Sequence, residues 1–319
     1  MKSLTRSLAL LLLPIALPAQ RPWQQITVPS VREAASNFRT PPREYGAIYW
    51  AIWGGELTQA RIVSELDYLQ ANGIFVVNFA PARGMSPKYF SPEHFAPMKF
   101  GVDEARKRGM KVWLADEGSY PSGFAGGLIS KEYPQLGMQG IVADTRISVA
   151  AGQTLNIPVP PDTLGAYYAG RGDGAGTVIP MPASGPFQWT APNAGMWEVV
   201  FVRHVYSSSP TRYINCEDGT YSKDSLYSLI DYLNPNATRA YLSTTHEVYK
   251  KPFGADFGTT VLGFFGDEPD YTGFMPWTAR LLDEFQRRKG YDLKPYLPLL
   301  FMSKMTEEAW RAKADYWDV

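Results

Sequence analysis

Apolar residues recur along the chain with two periods that alternate. Continuous apolar, β-rich runs are typical of strands covered on both faces, and here each is followed by a stretch with helical spacing. The run "YGAIYWAIW" (45–53) precedes "ELTQARIVSELDYLQANG" (56–73). Ile62, Leu66 and Leu69 of the second stretch fall on one helix face. The pattern predicts parallel strands at about 46–53, 74–80, 111–117 and 260–267, and further helices at 98–110, 234–254, 277–290 and 307–317.

The segment 143–213 breaks this alternation. Strand-like pieces such as "TRISVAAGQTLNIPVPPD" and "MWEVVFVRHVYSSS" are interrupted by Gly and Pro, and the segment has no helical period. We therefore predict an all-β insertion after the third strand.

Strand–helix units in series indicate either a doubly wound sheet or a barrel. We favour the barrel because "WGGEL", after the first strand, is not a glycine-rich phosphate loop. The sequence also reaches Val319 inside a helical pattern, as a truncated chain would. The predicted fold class is α/β, a partial (β/α)8 TIM-type barrel with an all-β insertion. Its regions are 1–20 (signal peptide), 21–142 (first part of the barrel), 143–213 (insertion) and 214–319 (continuation of the incomplete barrel).

The composition indicates a globular protein rich in aromatic residues. Its 319 residues are 45% hydrophobic, which is enough for a large core. The 31 basic and 31 acidic residues balance without a basic stripe, so nucleic acid is not an expected partner. The 9 Trp, 19 Tyr and 16 Phe suit a packed core or an aromatic binding cleft. The single cysteine, Cys216, leaves no internal disulfide to form, and nothing in the sequence indicates an oligomeric state.

The N-terminal residues have the charge order of a secretory signal. Lys2 and Arg6 precede an apolar run from Leu8 to Leu17, with small residues near Ala19. The run is short for a membrane span, although an uncleaved N-terminal anchor is the alternative. We expect a secreted or periplasmic protein with no membrane span after signal removal.

Acidic residues stand at the ends of two predicted strands. Asp116 and Glu117 end the third strand, and Asp267 and Glu268 end the fourth. Parallel barrel strands bring their carboxyl ends to one mouth, where burial and like charges raise a carboxyl pKa toward neutrality. The alternative for "DEP" is a helix cap followed by proline, and the alternative for "ADEGSYPSGFAGG" (115–127) is an ordinary turn.

Several short motifs resemble one family of secreted bacterial hydrolases. They are "YWAIWGGEL", "DEGSYPSGFAGG", "THEVY", and "GFFGDEPDY" followed by "FQRRKGYDLKPYLP". Over roughly residues 44–319 the sequence is similar to the N-terminal half of glycoside hydrolase family 106, the α-L-rhamnosidase family. The resemblance implies cleavage of plant or microbial glycosides by carboxylate general acid/base catalysis. It also implies an inverting reaction and, as a possible cofactor, a calcium ion near the sugar.

The resemblance also suggests residue roles. Glu268 matches the proton donor in the x-Glu-Pro turn that ends the fourth strand of related barrel glycosidases. Glu117 is the second catalytic candidate, although the partner carboxylate is also expected beyond residue 319. Asp116 and Asp267 are expected to bind substrate. The more modest role for Glu117 and Asp116 is to hydrogen-bond sugar hydroxyls or to hold a cation through hard oxygen ligands, although no residue is assigned as a metal ligand. The aromatic residues that could stack on a sugar ring are Trp50, Trp53, Tyr120, Tyr271 and Trp277.

Other motifs are weaker. His246-Glu247 lacks the second histidine of H-E-x-x-H because Lys250 occupies that position, so a zinc site is rejected. His94 and His204 have no neighbouring acid or nucleophile that suggests a triad. The rival function is a non-catalytic secreted carbohydrate-binding protein or an inactive fragment of a glycosidase. We expect these 319 residues alone to show little or no turnover.

Overall fold

The computed structural model describes residues 28–82, 84–118, 121–170, 176–206, 229–271 and 275–319. The signal peptide predicted at 1–20 lies outside these residues. The strands are β1 (Ile48–Trp53), β2 (Val76–Pro81), β3 (Lys111–Ala115), β4 (Gln139–Ala150), β5 (Thr154–Ile157), β6 (Thr163–Gly170), β7 (Gly176–Ile179), β8 (Phe187–Thr190), β9 (Met196–Tyr206), β10 (Val261–Phe265) and β11 (Met275–Trp277). The α-helices are α1 (Val31–Asn37), α2 (Gln59–Ala71), α3 (Phe95–Lys107), α4 (Leu128–Glu132), α5 (Pro235–Thr244), α6 (His246–Phe253), α7 (Leu281–Lys289) and α8 (Glu307–Asp318). Short 3-10 helices occupy Arg43–Tyr45, Pro134–Leu136 and Lys294–Phe301.

The first sheet is parallel and has the strand order β1-β2-β3-β10. The four apolar runs found in the sequence are thus confirmed as neighbouring parallel strands. Their register places Trp50 beside Asn78, and Asn78 beside Trp113. Because side chains alternate between faces along a strand, these three residues share one face of the sheet.

The opposite face of the parallel sheet carries a helix-covered core. Leu66 of α2 and Val102 of α3 are buried in one apolar cluster with Phe79 and Leu114 of the sheet. Local signals fix the ends of α2: Thr58 accepts a hydrogen bond from the Arg61 N–H at its start, and its apolar face ends before Gly73.

The uncovered face of β1 is apolar and exposed. Ile48, Trp50 and Ile52, which alternate along this face, are all at least 40% exposed. Within the described residues, β1 is an edge strand with β2 as its neighbour in the sheet. The parallel sheet is therefore open along β1.

The second sheet is antiparallel, with the order β11-β4-β9-β6-β7, and β5 and β8 pair separately. Most of its strands come from residues 139–206, which overlap the segment 143–213 predicted to be rich in strands; residues 207–213 lie outside the described residues. β11 joins it from the chain after β10 and pairs with β4. The long pair of β4 and β9 begins where Gln139 lies opposite Tyr206.

The helices after β10 pack on the antiparallel sheet. Leu281 and Phe285 of α7 and Tyr316 of α8 share a buried cluster with Ile141 and Val202 of the sheet. This part of the chain therefore extends the antiparallel lobe. None of the helices in the described residues is long and apolar enough to cross a membrane.

Candidate active site

A cleft of about 190 Å³ lies at the carboxyl ends of the parallel strands. Each of the four strands contributes to it, as expected where parallel strands end at one edge. The lining residues are Trp50, Ile52, Asn78, Ala80, Pro81, Ala115, Asp116, Glu117, Ser122, Phe265 and Asp267. Three of these are carboxylic acids and none is lysine or arginine, so the cleft has an acidic side and no cationic one.

The Glu117 carboxylate is buried and held by four backbone N–H groups. One oxygen, Oε1, accepts from Gly118 N at 2.7 Å and from Gly126 N at 3.1 Å. The other, Oε2, accepts from Phe124 N at 2.9 Å and from Ala125 N at 2.6 Å. Burial raises the pKa of Glu117 to about 7, although the N–H groups favour the charged form and lower it. Glu117 therefore organises the loop after β3.

The glycine-rich sequence explains why this loop can surround a carboxylate. Ala125, Gly126 and Gly127 all have positive φ, of 51°, 63° and 86°. The N–H groups of Phe124, Ala125 and Gly126 in this turn all point to the Glu117 carboxylate and form an anion-binding concavity. Gly123 is also required, because a Cβ there would lie 2.5 Å from the Tyr232 hydroxyl.

Asp116 is the second buried carboxylate and connects two strand ends. Its Oδ1 accepts from the Ser122 hydroxyl at 2.7 Å, and the Ser122 oxygen accepts from Asp267 N at 2.7 Å. The hydroxyls of Tyr89 and Tyr241 donate to the Asp116 carbonyl. Burial raises the pKa of Asp116 to about 6, with a smaller contribution from the negative charge of Asp267. Asp116 can therefore hold or release a proton near neutral pH.

His246, at the start of α6, faces the same carboxylate. Its Nε2 lies 4.0 Å from Asp116 Oδ2, and its Nδ1 lies 2.7 Å from Thr245 Oγ1. The Thr245 hydroxyl donates its one hydrogen to the Tyr241 carbonyl. In its contact with His246 Nδ1, this hydroxyl can therefore act only as the acceptor. The proton is thereby placed on Nδ1, and Nε2 is left as an acceptor facing Asp116. Burial lowers the pKa of His246, which favours this neutral form. This contact could not be predicted from the sequence, because α6 and β3 are distant in the chain.

Aromatic and amide groups form the rest of the cleft. The Trp50 ring is 42% exposed and meets Phe265 edge to face, with centroids 4.6 Å apart. Asn78 is 1% exposed, and neither its Nδ2 nor its Oδ1 has a hydrogen-bond partner. The cleft therefore combines an apolar ring, an amide without hydrogen-bond partners and buried carboxylates.

Comparison with known proteins finds similarity to a family of glycoside hydrolases. The model of glycoside hydrolase family 106, described as alpha-L-rhamnosidase, matches residues 177–318. The resemblance to family 106 is confirmed. The match includes β10 and the "GDEP" sequence that follows it.

Two further proteins are similar to this chain. The structure of a rhamnosidase from Novosphingobium sp. PP1Y has a similar fold, with a TM-score of 0.52 over 91% of this chain and 44% of that chain. At 15% identity, this likeness concerns the fold alone. A protein of Formosa agariphila, named as a candidate beta-glucuronidase, is 24% identical over 333 residues, or 86% of this chain and 27% of its own. The chain thus spans less than half the length of either relative.

The structure brings together four of the candidate site residues proposed from the sequence and separates the others. Trp50, Asp116, Glu117 and Asp267 all line the cleft. Glu268 follows directly but is exposed and lies outside that lining, with its N–H donating to Asp267 Oδ1.

The other predicted aromatic residues lie away from this cleft. Trp53 is buried and stacks on Phe79, and its Nε1–H donates to Glu65. Trp277 is buried in the core of the antiparallel lobe. Tyr271 lines a separate groove beside α7 and α8, and Tyr120 lies outside the described residues.

The carboxylates of the cleft do not form a binding site for the calcium ion that the resemblance to family 106 implies. Both Glu117 oxygens accept from backbone N–H groups, and Asp116 Oδ1 accepts from Ser122. Among the residues that the structure describes, no cluster of three or more His, Cys, Asp or Glu side chains is arranged to hold a metal ion. These residues therefore do not fit calcium.

Proposed function

We propose that this chain forms part of a glycoside hydrolase that cleaves α-L-rhamnosides at the cleft. The observation that carries this proposal is the cleft at the ends of the parallel strands, which brings together Asp116, Glu117 and Asp267 and in which burial raises the pKa of Asp116 to about 6. A carboxyl group poised near neutrality is what general acid or base catalysis needs. The family-106 match supports the rhamnoside over the glucuronide, and residues 1–20 are proposed to direct export.

The proposed architecture is part of a (β/α)8 barrel. Four consecutive parallel strands in the order β1-β2-β3-β10 support it, as does a cleft at their carboxyl ends. In this arrangement the antiparallel lobe is an insertion between the third and fourth barrel strands. The free edge of β1 is where a further strand of a closed barrel would pair.

We propose that Glu268 is the general acid. It follows Asp267 at the mouth of the cleft, where a leaving group can depart into solvent. Protonation of the glycosidic oxygen by this carboxyl group would start cleavage, while a second carboxylate activates water on the opposite face of the sugar. Asp116 is the carboxylate in the cleft best suited to that second role, because Glu117 uses both oxygens to hold the loop.

The test is the variant Glu268→Gln, measured in the longest protein that carries this sequence. Loss of a positioned general acid should lower hydrolysis of natural rhamnosides by roughly 10²–10⁴-fold. A 2,4-dinitrophenyl α-L-rhamnoside should be spared, because its leaving group departs without protonation. Glu132→Gln, which changes an exposed glutamate on α4, is the matched control.

Three results would contradict this assignment. Equal loss on both substrates would indicate a structural role for Glu268. An unchanged rate on both would indicate that "GDEP" is only a turn or helix cap. Failure of the wild-type protein to cleave or bind any glycoside would refute the proposed function itself.

A further inference from the structure

The amide of Asn78 is unusual among the buried polar groups of the cleft. The neighbouring acidic residues all have hydrogen-bond partners. Glu117 accepts from N–H groups of the loop, Asp116 accepts from the Ser122 hydroxyl, and the Asp267 N–H donates to the Ser122 oxygen. The Asn78 side chain is 1% exposed, yet its two donors and its acceptor have no partner. A buried amide without hydrogen bonds is destabilising, so folding alone does not account for asparagine at this position.

The position of Asn78 places that amide in the cleft. On β2 its neighbours Val77 and Phe79 are buried in the core beneath the helices, so Asn78 lies on the opposite, cleft-lining face. The strand register puts it beside Trp50 on one side and Trp113 on the other. Asn78 therefore forms the floor of the cleft between two aromatic residues.

We propose that Asn78 recognises two neighbouring hydroxyl groups of a neutral sugar bound in the cleft. This inference rests on the proposed function and adds the group that selects the substrate. The amide Nδ2 donates and Oδ1 accepts, and two adjacent hydroxyls satisfy both because each can donate and accept. The exposed ring of Trp50 covers the C–H face of the same sugar.

The charge of the cleft argues for a neutral ligand. Its lining includes Asp116, Glu117 and Asp267 but neither lysine nor arginine. A uronic acid or a phosphorylated sugar would bring a second anion beside these carboxylates, and such ligands are usually recognised by cationic side chains. A neutral deoxyhexose or hexose meets no such repulsion.

The experiment compares Asn78→Leu with the wild-type protein in two measurements. Leucine is close to asparagine in size but has no hydrogen-bonding group. If Asn78 serves ligand binding, the variant should bind methyl α-L-rhamnoside roughly tenfold or more weakly, as followed by NMR titration. Its melting temperature should be equal to or higher than that of the wild type, because an unpartnered buried amide has been removed. Asn236→Leu, on the exposed surface of α5, should leave the affinity unchanged.

Ligands that lack one hydroxyl identify the groups that Asn78 contacts. Deoxygenating a contacted position should weaken binding to the wild type but have little further effect on Asn78→Leu, since the same hydrogen bond is already missing. Methyl glucuronide should bind the wild type more weakly than the rhamnoside.

Each other outcome overturns a defined part of the reasoning. If the wild type binds rhamnoside and Asn78→Leu binds it equally well, the inference fails while the proposed function stands. A variant that loses both affinity and thermal stability would show that Asn78 is structural. A glucuronide that binds as tightly as the rhamnoside would refute the neutral-sugar specificity, and a wild type that binds no glycoside would refute the proposed function as well.

Discussion

Replacing Glu117 with glutamine should change how the stability of the chain depends on pH. The carboxyl group has an ordinary pKa of 4.5 when unfolded, and burial raises it to about 7 in the fold. A group whose pKa is higher when folded contributes stability that is fully present below the unfolded value. That contribution is lost as the pH rises through the folded value. Ionised Glu117 therefore destabilises the fold above neutral pH.

The size of the effect follows from the two pKa values. Each pKa unit corresponds to 1.36 kcal/mol, so the change from 4.5 to about 7 corresponds to about 3 kcal/mol. Most of this change in the free energy of unfolding develops between about pH 5 and about pH 8, an interval over which Glu117 should contribute roughly 2–3 kcal/mol. The wild type should therefore gain this much stability relative to Glu117→Gln as the pH falls over that range.

The comparison must be a difference between proteins, because other groups titrate in the same range. Burial lowers the pKa of His94 to about 4, and its protonation in the unfolded state opposes the effect of Glu117 as the pH falls. Asp116, with its pKa raised to about 6, acts in the same direction as Glu117. Subtracting the stability of the variant removes most of both contributions.

Urea unfolding followed by tryptophan fluorescence, at several pH values, gives the free energies of unfolding. Glu132→Gln removes an exposed carboxylate and should leave the pH dependence as it is. Glu117→Gln should also be less stable throughout, because its NH₂ group faces two backbone N–H donors of the loop. A constant difference from the wild type at every pH would refute the argument from burial. A difference that grows toward high pH would show that the four N–H groups outweigh desolvation.

Two further predictions concern packing in the two lobes. Trp53→Ala removes a fully buried ring that stacks on Phe79, and should lower the free energy of unfolding by about 3–5 kcal/mol. Trp317→Ala, at a 60% exposed site on α8, should change it by less than about 1 kcal/mol, and equal effects in denaturant titrations would contradict the assigned core. Gly165→Ala would place a methyl group 2.8 Å from Pro298 Cγ, which should cost about 1–3 kcal/mol through overpacking. A thermal melt that matches the wild type would show that the antiparallel sheet and the 3-10 helix do not pack so closely.

The parallel strands were predictable because their signal is local. β1 and β2 are continuous apolar runs bounded by helix and turn signals, and each such run is buried on at least one face. The pairing of β11 with β4 was not predictable, since Met275–Trp277 is three residues long and its partner lies more than 120 residues earlier. Packing of α7 and α8 on the antiparallel lobe depends on that long-range pairing too.

From the sequence, only those site residues that lie at the ends of the parallel strands were predictable. Asp116, Glu117 and Asp267 could be placed at one mouth because parallel strands end together. Trp50 and Trp53 are three positions apart in β1, and alternation sends one to the cleft and the other to the core. Sequence alone could not decide which, because both faces of β1 are apolar. The contact between His246 and Asp116 likewise depends on how α6 docks against the sheet.

The pairing of Gln139 with Tyr206 has a consequence for folding kinetics. β10 must find β3 across about 145 residues of intervening chain, a closure whose entropy cost grows with the logarithm of loop length. The antiparallel strand pairs of this lobe form from contacts closer in sequence than the β3–β10 pair, so they are expected to form first. Once β4 and β9 have paired, the two ends of the lobe lie together, and the chain left to close between β3 and β10 is roughly halved. Early pairing of β4 with β9 then shortens the loop that must close before β10 pairs with β3. Mutations that weaken the β4–β9 pair should therefore slow assembly of the parallel sheet.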